Sequence, residues 1–132
     1  MYYRTREGEI TASDTYTTLS GLYGKSTTAS IQVMANVSRI VGAMVSVATD
    51  SASNAAATFA VSLSGDGLSQ GSETFTVASA GVDGTPASNG QTVATTQIPL
   101  DIPVIASNQV SVEGVCNADT GSPTMAVTLV FA

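Results

Sequence analysis

Apolar and polar residues alternate with a period of two through most of this chain. Phe59, Val61 and Leu63 alternate with Thr58, Ala60 and Ser62. Ile98, Leu100, Ile102 and Val104 alternate with Pro99, Asp101 and Pro103, and Met125, Val127, Leu129 and Phe131 with Ala126, Thr128, Val130 and Ala132. A period of two sends one set of side chains to one face of a pleat, so each run predicts a strand. Phe75 with Val77, Val110 with Val112, and the stretch from Thr15 to Leu22 predict three more.

Residues 29 to 49 carry two periodicities at once. Ile31, Val33, Ala35 and Val37 alternate with Gln32, Met34, Asn36 and Ser38, while Ile31, Met34, Val37, Val41, Met44, Val45 and Ala48 also recur near every three and a half residues. Two strands, at 29 to 38 and 40 to 49, are the preferred reading, because β-branched side chains favour the pleat and Gly42 weakens a helix. A helix over 31 to 48 is the alternative.

Turn chemistry separates the runs: Ser64-Gly65-Asp66-Gly67, Asp83-Gly84 and Asn89-Gly90 within a polar loop from 80 to 91, and Asn117 to Pro123. Two prolines on one face of the 98 to 104 run make it an edge or corner strand. The sum is about eight short strands with connections too short for helical crossovers. It predicts an all-β fold, an antiparallel β-sandwich built as an eight-stranded jelly roll.

Composition adds a second requirement. Only 11% of the residues are charged and the mean hydropathy is +0.26, which is little solubilising surface for a small domain. No window approaches the roughly 20 apolar residues of a membrane helix, so no membrane partner is expected. The last strand is apolar or small on both faces, and Met34, Met44 and Ala48 give the early strands the same character, so a protein partner is expected to cover one face.

Charge is distributed unevenly. Arg4, Arg6, Lys25 and Arg39 are the only basic residues, and from Ile40 onward there are only acids: Asp50, Asp66, Glu73, Asp83, Asp101, Glu113 and Asp119. Such a body repels a phosphate backbone, which disfavours nucleic acid as a partner. Residues 1 to 13 have mixed charge, no periodicity and two adjacent tyrosines, and read as an N-terminal arm before a sandwich domain spanning 14 to 132. Met1 to Glu7 has no apolar core and is not read as a secretory signal. Tyr2, Tyr3, Arg4, Arg6, Tyr16, Tyr23 and Val130 are the candidate interface residues, either as anchors on a neighbouring chain or packed back on the chain's own sheet.

Catalytic chemistry finds little to work with. The chain has no histidine, which excludes Ser-His-Asp and Cys-His nucleophile arrangements and most zinc sites. The acids are spread singly, the phosphate-loop motifs are absent, and no enzyme activity or cofactor is expected. Cys116, the lone cysteine, reads as a small buried apolar side chain. Oxygen ligands for a hard cation occur at Asn117, Asp119, Thr120 and Glu113, but without the alternating acids of a calcium loop, so Asx-turn chemistry is preferred and no metal is assigned. Asn36-Val37-Ser38 matches a glycosylation acceptor inside an expected strand and is read as a chance match.

The segments Ile98 to Val104, Asn108 to Val115 and Met125 to Ala132 resemble the last strands of small single jelly-roll virion proteins. The resemblance covers about a third of the chain and includes no diagnostic motif. It implies a non-enzymatic structural protein of a virus particle, a capsid or capsid-decorating subunit located in the virion, whose partners are its own copies and other shell proteins. Two alternatives are a subunit of an extracellular filament or surface layer assembled by strand addition, and a carbohydrate-binding or adhesive module of a fibre. The sugar-binding reading lacks an aromatic platform: there is no tryptophan, and Phe59, Phe75 and Phe131 lie on expected core faces.

Overall fold

The structure, a computed structural model, describes residues 1–10, 15–20, 29–48, 57–77, 93–117 and 121–132. Among these residues nine strands occur: β1 (Tyr2–Glu9), β2 (Thr17–Thr18), β3 (Ile31–Gln32), β4 (Arg39–Ala48), β5 (Phe59–Ser64), β6 (Ser72–Val77), β7 (Val93–Pro103), β8 (Gln109–Cys116) and β9 (Thr124–Phe131). They form two sheets, one in the order β1-β9-β4-β7 and one in the order β2-β8-β5-β6, and all the pairings are antiparallel. β3 lies on the same flank of β8 as β2, lower on the ladder, at Val110 and Gln109 against Gly114 and Glu113. The two short pieces therefore fill one strand position, and the eight positions follow the jelly-roll order.

The alternation read from the sequence becomes the core directly. Met125, Val127, Leu129 and Phe131 of β9 face Val110, Val112 and Cys116 of β8 and Phe59, Val61 and Leu63 of β5 within one buried cluster. β4 contributes Ile40 and then Ala43, Val45 and Val47. That change of parity is produced by a register shift between Ile40 and Gly42 against both neighbours, since one extra residue in a strand exchanges its faces. Gly114 of β8 points inward where any Cβ would lie 2.8 Å from Met125 Sδ and 3.1 Å from Ile10 Cγ2.

Three sequence expectations change. Residues 39 to 48 form a strand bonded on both sides, so the helical reading fails there, but the strand expected at 29 to 38 shrinks to Ile31–Gln32. The chain is crossing between sheets at this point. Val33 N donates to Asn108 O, the chain turns at Ala35 and Asn36, and Ser38 N and Arg39 N both donate to Ala132 O. Its backbone groups are satisfied by other segments instead of a ladder. Asn36 consequently sits exposed in a turn and not in a strand.

The second change concerns the N-terminal segment. Residues 2 to 9, expected as an arm, pair with β9 along their whole length, Tyr2 opposite Phe131 through Glu9 opposite Thr124, and Glu7 bridges to Ser20. Periodicity was hidden because an edge strand covers only the rim of the core, where arginine and tyrosine can lay an apolar stem inward and keep a polar end outward. Third, the edge reading of the proline strand is refined to a position: β7 closes the first sheet, where prolines are tolerated because one side of the backbone has no neighbouring strand among the described residues.

The turn after β5 closes one end of the sandwich. Gly65 adopts φ 118° and approaches Gln109 so closely that a Cβ would lie 2.5 Å from its carbonyl oxygen. Asp66 Oδ1 accepts from Gln109 N at 2.9 Å, and Leu68 is buried beneath this turn.

Candidate functional site

The outward positions of the first sheet are the ones that pleat geometry leaves unused by the core. Tyr3 and Thr5 of β1, Thr128 and Val130 of β9, Gly42 and Met44 of β4, and Gln97 and Pro99 of β7 share this face by register. Gly42 is opposite both Val130 and Pro99, so one side chain is missing from the middle of the surface. The result is a shallow depression of about 490 Å³, bordered by Tyr3, Met44, Gln97, Pro99 and Val130 and lined by no charged residue. A Cβ at Gly42 would meet only Ile98 O, at 3.4 Å, so nothing beneath the glycine demands its absence. Tyr3 is 54% exposed, and Val130 is half-buried.

The inward side of β1 builds a second feature, a basic rim. The Tyr2 ring stacks on Phe131 with centroids 4.7 Å apart and planes 2° from parallel, and its hydroxyl accepts from Met34 N at 2.9 Å. Arg4 lies over the Tyr2 ring, 4.7 Å from the centroid, donating to Tyr3 O and Met34 Sδ. Arg6 donates to the carbonyls of Ala29, Ser30 and Thr5 at 2.8 to 3.0 Å. Burial and, secondarily, the charge of Arg4 lower the Arg6 pKa from its ordinary value. Both arginines border a cavity of about 340 Å³ with Ile31, Gln32, Val33 and Ser107.

Three of the residues named as interface candidates make contacts within their own chain. Tyr2, Arg4 and Arg6 fasten the 29–34 crossing to the first sheet of their own chain, while Tyr3 and Val130 face outward together. Tyr16 lies on the other sheet, half exposed, in a shallow depression with Thr58, Val115 and Asn117. Tyr23 is outside the described residues. Met34 was missed as a partner of Tyr2 and Arg4, because nothing local in the sequence marks a backbone amide or thioether as a docking point across 30 residues.

The metal candidates are not brought together as a site. Asn117 Oδ1 accepts from Thr58 N at 2.9 Å, and Asn117 N donates back to Thr58 O, a local backbone cap. Asp119 lies outside the described residues, and among those described no group of three His, Cys, Asp or Glu side chains could hold an ion. Cys116 is buried and takes part in no disulfide. Among the described residues no helix is long and apolar enough to cross a membrane.

No family model and no curated protein matches this chain. Similar solved structures include a carbohydrate-binding module in complex with calcium and xylotriose, at 15% identity and TM-score 0.47 over 100% of both chains. A carbohydrate-binding module of a Cellvibrio mixtus lichenase in complex with cellotriose matches at 11% identity and TM-score 0.37, over 97% of this chain and 86% of that one. The VP2 subviral particle of infectious bursal disease virus matches at 15% identity and TM-score 0.39; this chain is covered to 96% and spans 31% of the VP2 chain. Viral shell proteins and sugar-binding modules thus both stand among the similar structures, and none is close enough to transfer a function.

Proposed function

We propose that this protein is a non-enzymatic structural subunit of a virus particle, in the shell or decorating it, and that it works by self-association and by contacts with other shell proteins. The carrying observation is the uncharged depression over Gly42 on the outer face of the first sheet, bordered by Tyr3, Met44, Pro99 and Val130. Apolar surface of this kind is stabilised by being removed from water, at about 25 cal/mol for each Å², and a chain with so few charges has little else to keep it dispersed. Function on this reading is mechanical, and turnover plays no part.

The filament alternative loses its donor strand, because residues 2–9 complete this chain's own sheet. Sugar binding keeps one specific feature: the exposed Tyr16 ring beside Asn117 and Thr58, an aromatic face next to polar groups. Electron microscopy and light scattering on the purified full-length chain separate the readings. Closed shells, rings or compact oligomers are expected. A monomer at every concentration that binds oligosaccharide, and loses it in Tyr16→Ala, would replace the structural reading with the sugar-binding one.

A further inference from the structure

At the two long edges of the sandwich stand groups of opposite charge, Arg4 and Arg6 at one and Glu73 at the other, that no charged side chain pairs among the described residues; Glu7 and Glu9 of β1 alternate to the other face of the strand from the two arginines. At the β1/β3 edge, Arg4 and Arg6 border one cavity whose lining contains no carboxylate. Arg39, by contrast, is paired with Asp101. The partners of Arg4 and Arg6 are instead carbonyls, a thioether and an aromatic face. Such neutral partners orient a guanidinium without cancelling its charge. Each guanidinium has five N–H donors in a fixed fork, and these contacts leave several unused. Burial and, secondarily, the neighbouring charge of Arg4 both disfavour the charged form of Arg6.

The opposite edge of the second sheet is β6. Glu73 lies there, opposite Leu63, with no side-chain partner among the described residues. The charge inventory of the whole chain points the same way: no basic residue follows Arg39, while seven acids do. When copies of a chain with net charge −6 pack together, their acidic bodies repel one another unless the cations of the first 39 residues are brought against them.

We infer that the Arg4–Arg6 cavity is a carboxylate-binding site whose ligand is Glu73 of a second copy, so that the β1/β3 edge of one subunit docks on the β6 edge of the next. Arginine is suited to this task because its planar fork matches a carboxylate with two parallel N–H···O bonds. The contact joins two different surfaces, so repetition closes into a ring where the rotation allows it. This assignment rests on the self-association reading above.

The experiment measures assembly of the full-length chain by sedimentation, with far-UV circular dichroism as the folding check. Wild type is compared with Arg4→Glu, Glu73→Lys and the double variant carrying both. Arg6 is left in place because it holds Ala29 and Ser30. Each single variant is expected to weaken assembly about tenfold or more, and the double variant to recover most of the loss. Raising salt to about 1 M, where screening extends only about 3 Å, should weaken wild type in the same direction. Glu73→Lys replaces a half-buried side chain that makes no side-chain hydrogen bond or ion pair among the described residues, and with circular dichroism confirming its fold it reports on the site even where Arg4→Glu folds poorly. Single variants that assemble like wild type, or a double variant that recovers nothing, would overturn this site and leave self-association standing. A wild-type chain that stays monomeric would overturn both.

Discussion

The two outer faces of this sandwich are built on equally apolar inner faces, yet they differ. On the second sheet, Thr18, Ser62, Ser64, Thr74, Ser111 and Glu113 point outward, half-buried or exposed, and Thr74 Oγ1 donates to Ser62 Oγ at 3.4 Å. Hydroxyls and a carboxylate keep their water and tie neighbouring strands together. On the first sheet the corresponding positions include Tyr3, Met44, Pro99 and Val130 around a glycine. The inner positions decide whether two sheets pack, and the outer positions decide what each sheet does next. Around Gly42 the first sheet presents an uncharged depression, whereas these positions of the second sheet present hydroxyls and a carboxylate.

The sharpest break of this contrast lies inside it. Phe131→Ala and Phe59→Ala remove fully buried rings from the first and second sheets respectively. Each should lower the unfolding free energy by about 3–5 kcal/mol in urea titration. A large loss for one and almost none for the other would mean that the sheets do not share a core. Gly114→Val forces a side chain against Met125 and Ile10 and should destabilise by about 1–3 kcal/mol or more, read by the same titration.

The outer faces are compared by one charge on each. Met44→Glu should weaken self-association about tenfold or more in sedimentation while monomer stability changes by less than about 1 kcal/mol, and Ser62→Glu should leave association unchanged. Equal effects would erase the distinction between the faces. The smallest effect belongs to the exposed Arg39–Asp101 pair. Asp101→Asn should leave the melting temperature unchanged, because exposed pairs are screened by solvent. Hydrogen bonding to Asp101 raises the Arg39 pKa above its ordinary value. A raised pKa contributes stability that is fully present below the unfolded value and is lost only as pH climbs through the folded one. Melting curves between about pH 5 and pH 9 should therefore show no dependence on this pair.

Legibility followed burial. β5, β8 and β9 stand out in the sequence because each has a dry side and a wetter one, and the period of two survives in residues such as Phe59, Val61 and Leu63. β1 was invisible to that reasoning: Tyr2, Arg4 and Arg6 cover a rim, where amphipathic side chains replace plain apolar ones. The segment 29 to 38 was over-read for the opposite reason. Ile31 and Val33 are buried, but Ala35 is exposed in the turn, and composition alone cannot separate two buried residues in a crossing from the start of a ladder. At the candidate site, Tyr3 and Val130 were named from sequence, whereas Gly42, Gln97 and Pro99 became its neighbours only through register.

What the amino-acid sequence determined by itself was local: the strand class, the glycine turn at Gly65, the absence of histidine, and the concentration of every basic residue before position 40. Each of these is a property of single residues or of neighbours a few positions apart, which bond lengths and pleat geometry convert directly into structure. The tertiary structure alone decided which distant strands meet. It placed Tyr2 on Phe131 and Arg4 on Met34, set Gly42 between Val130 and Pro99, and sent Arg4 and Glu73 to opposite edges. Those pairings depend on closing loops across most of the chain, and their energy comes from burying many side chains at once, so no short stretch of sequence contains them.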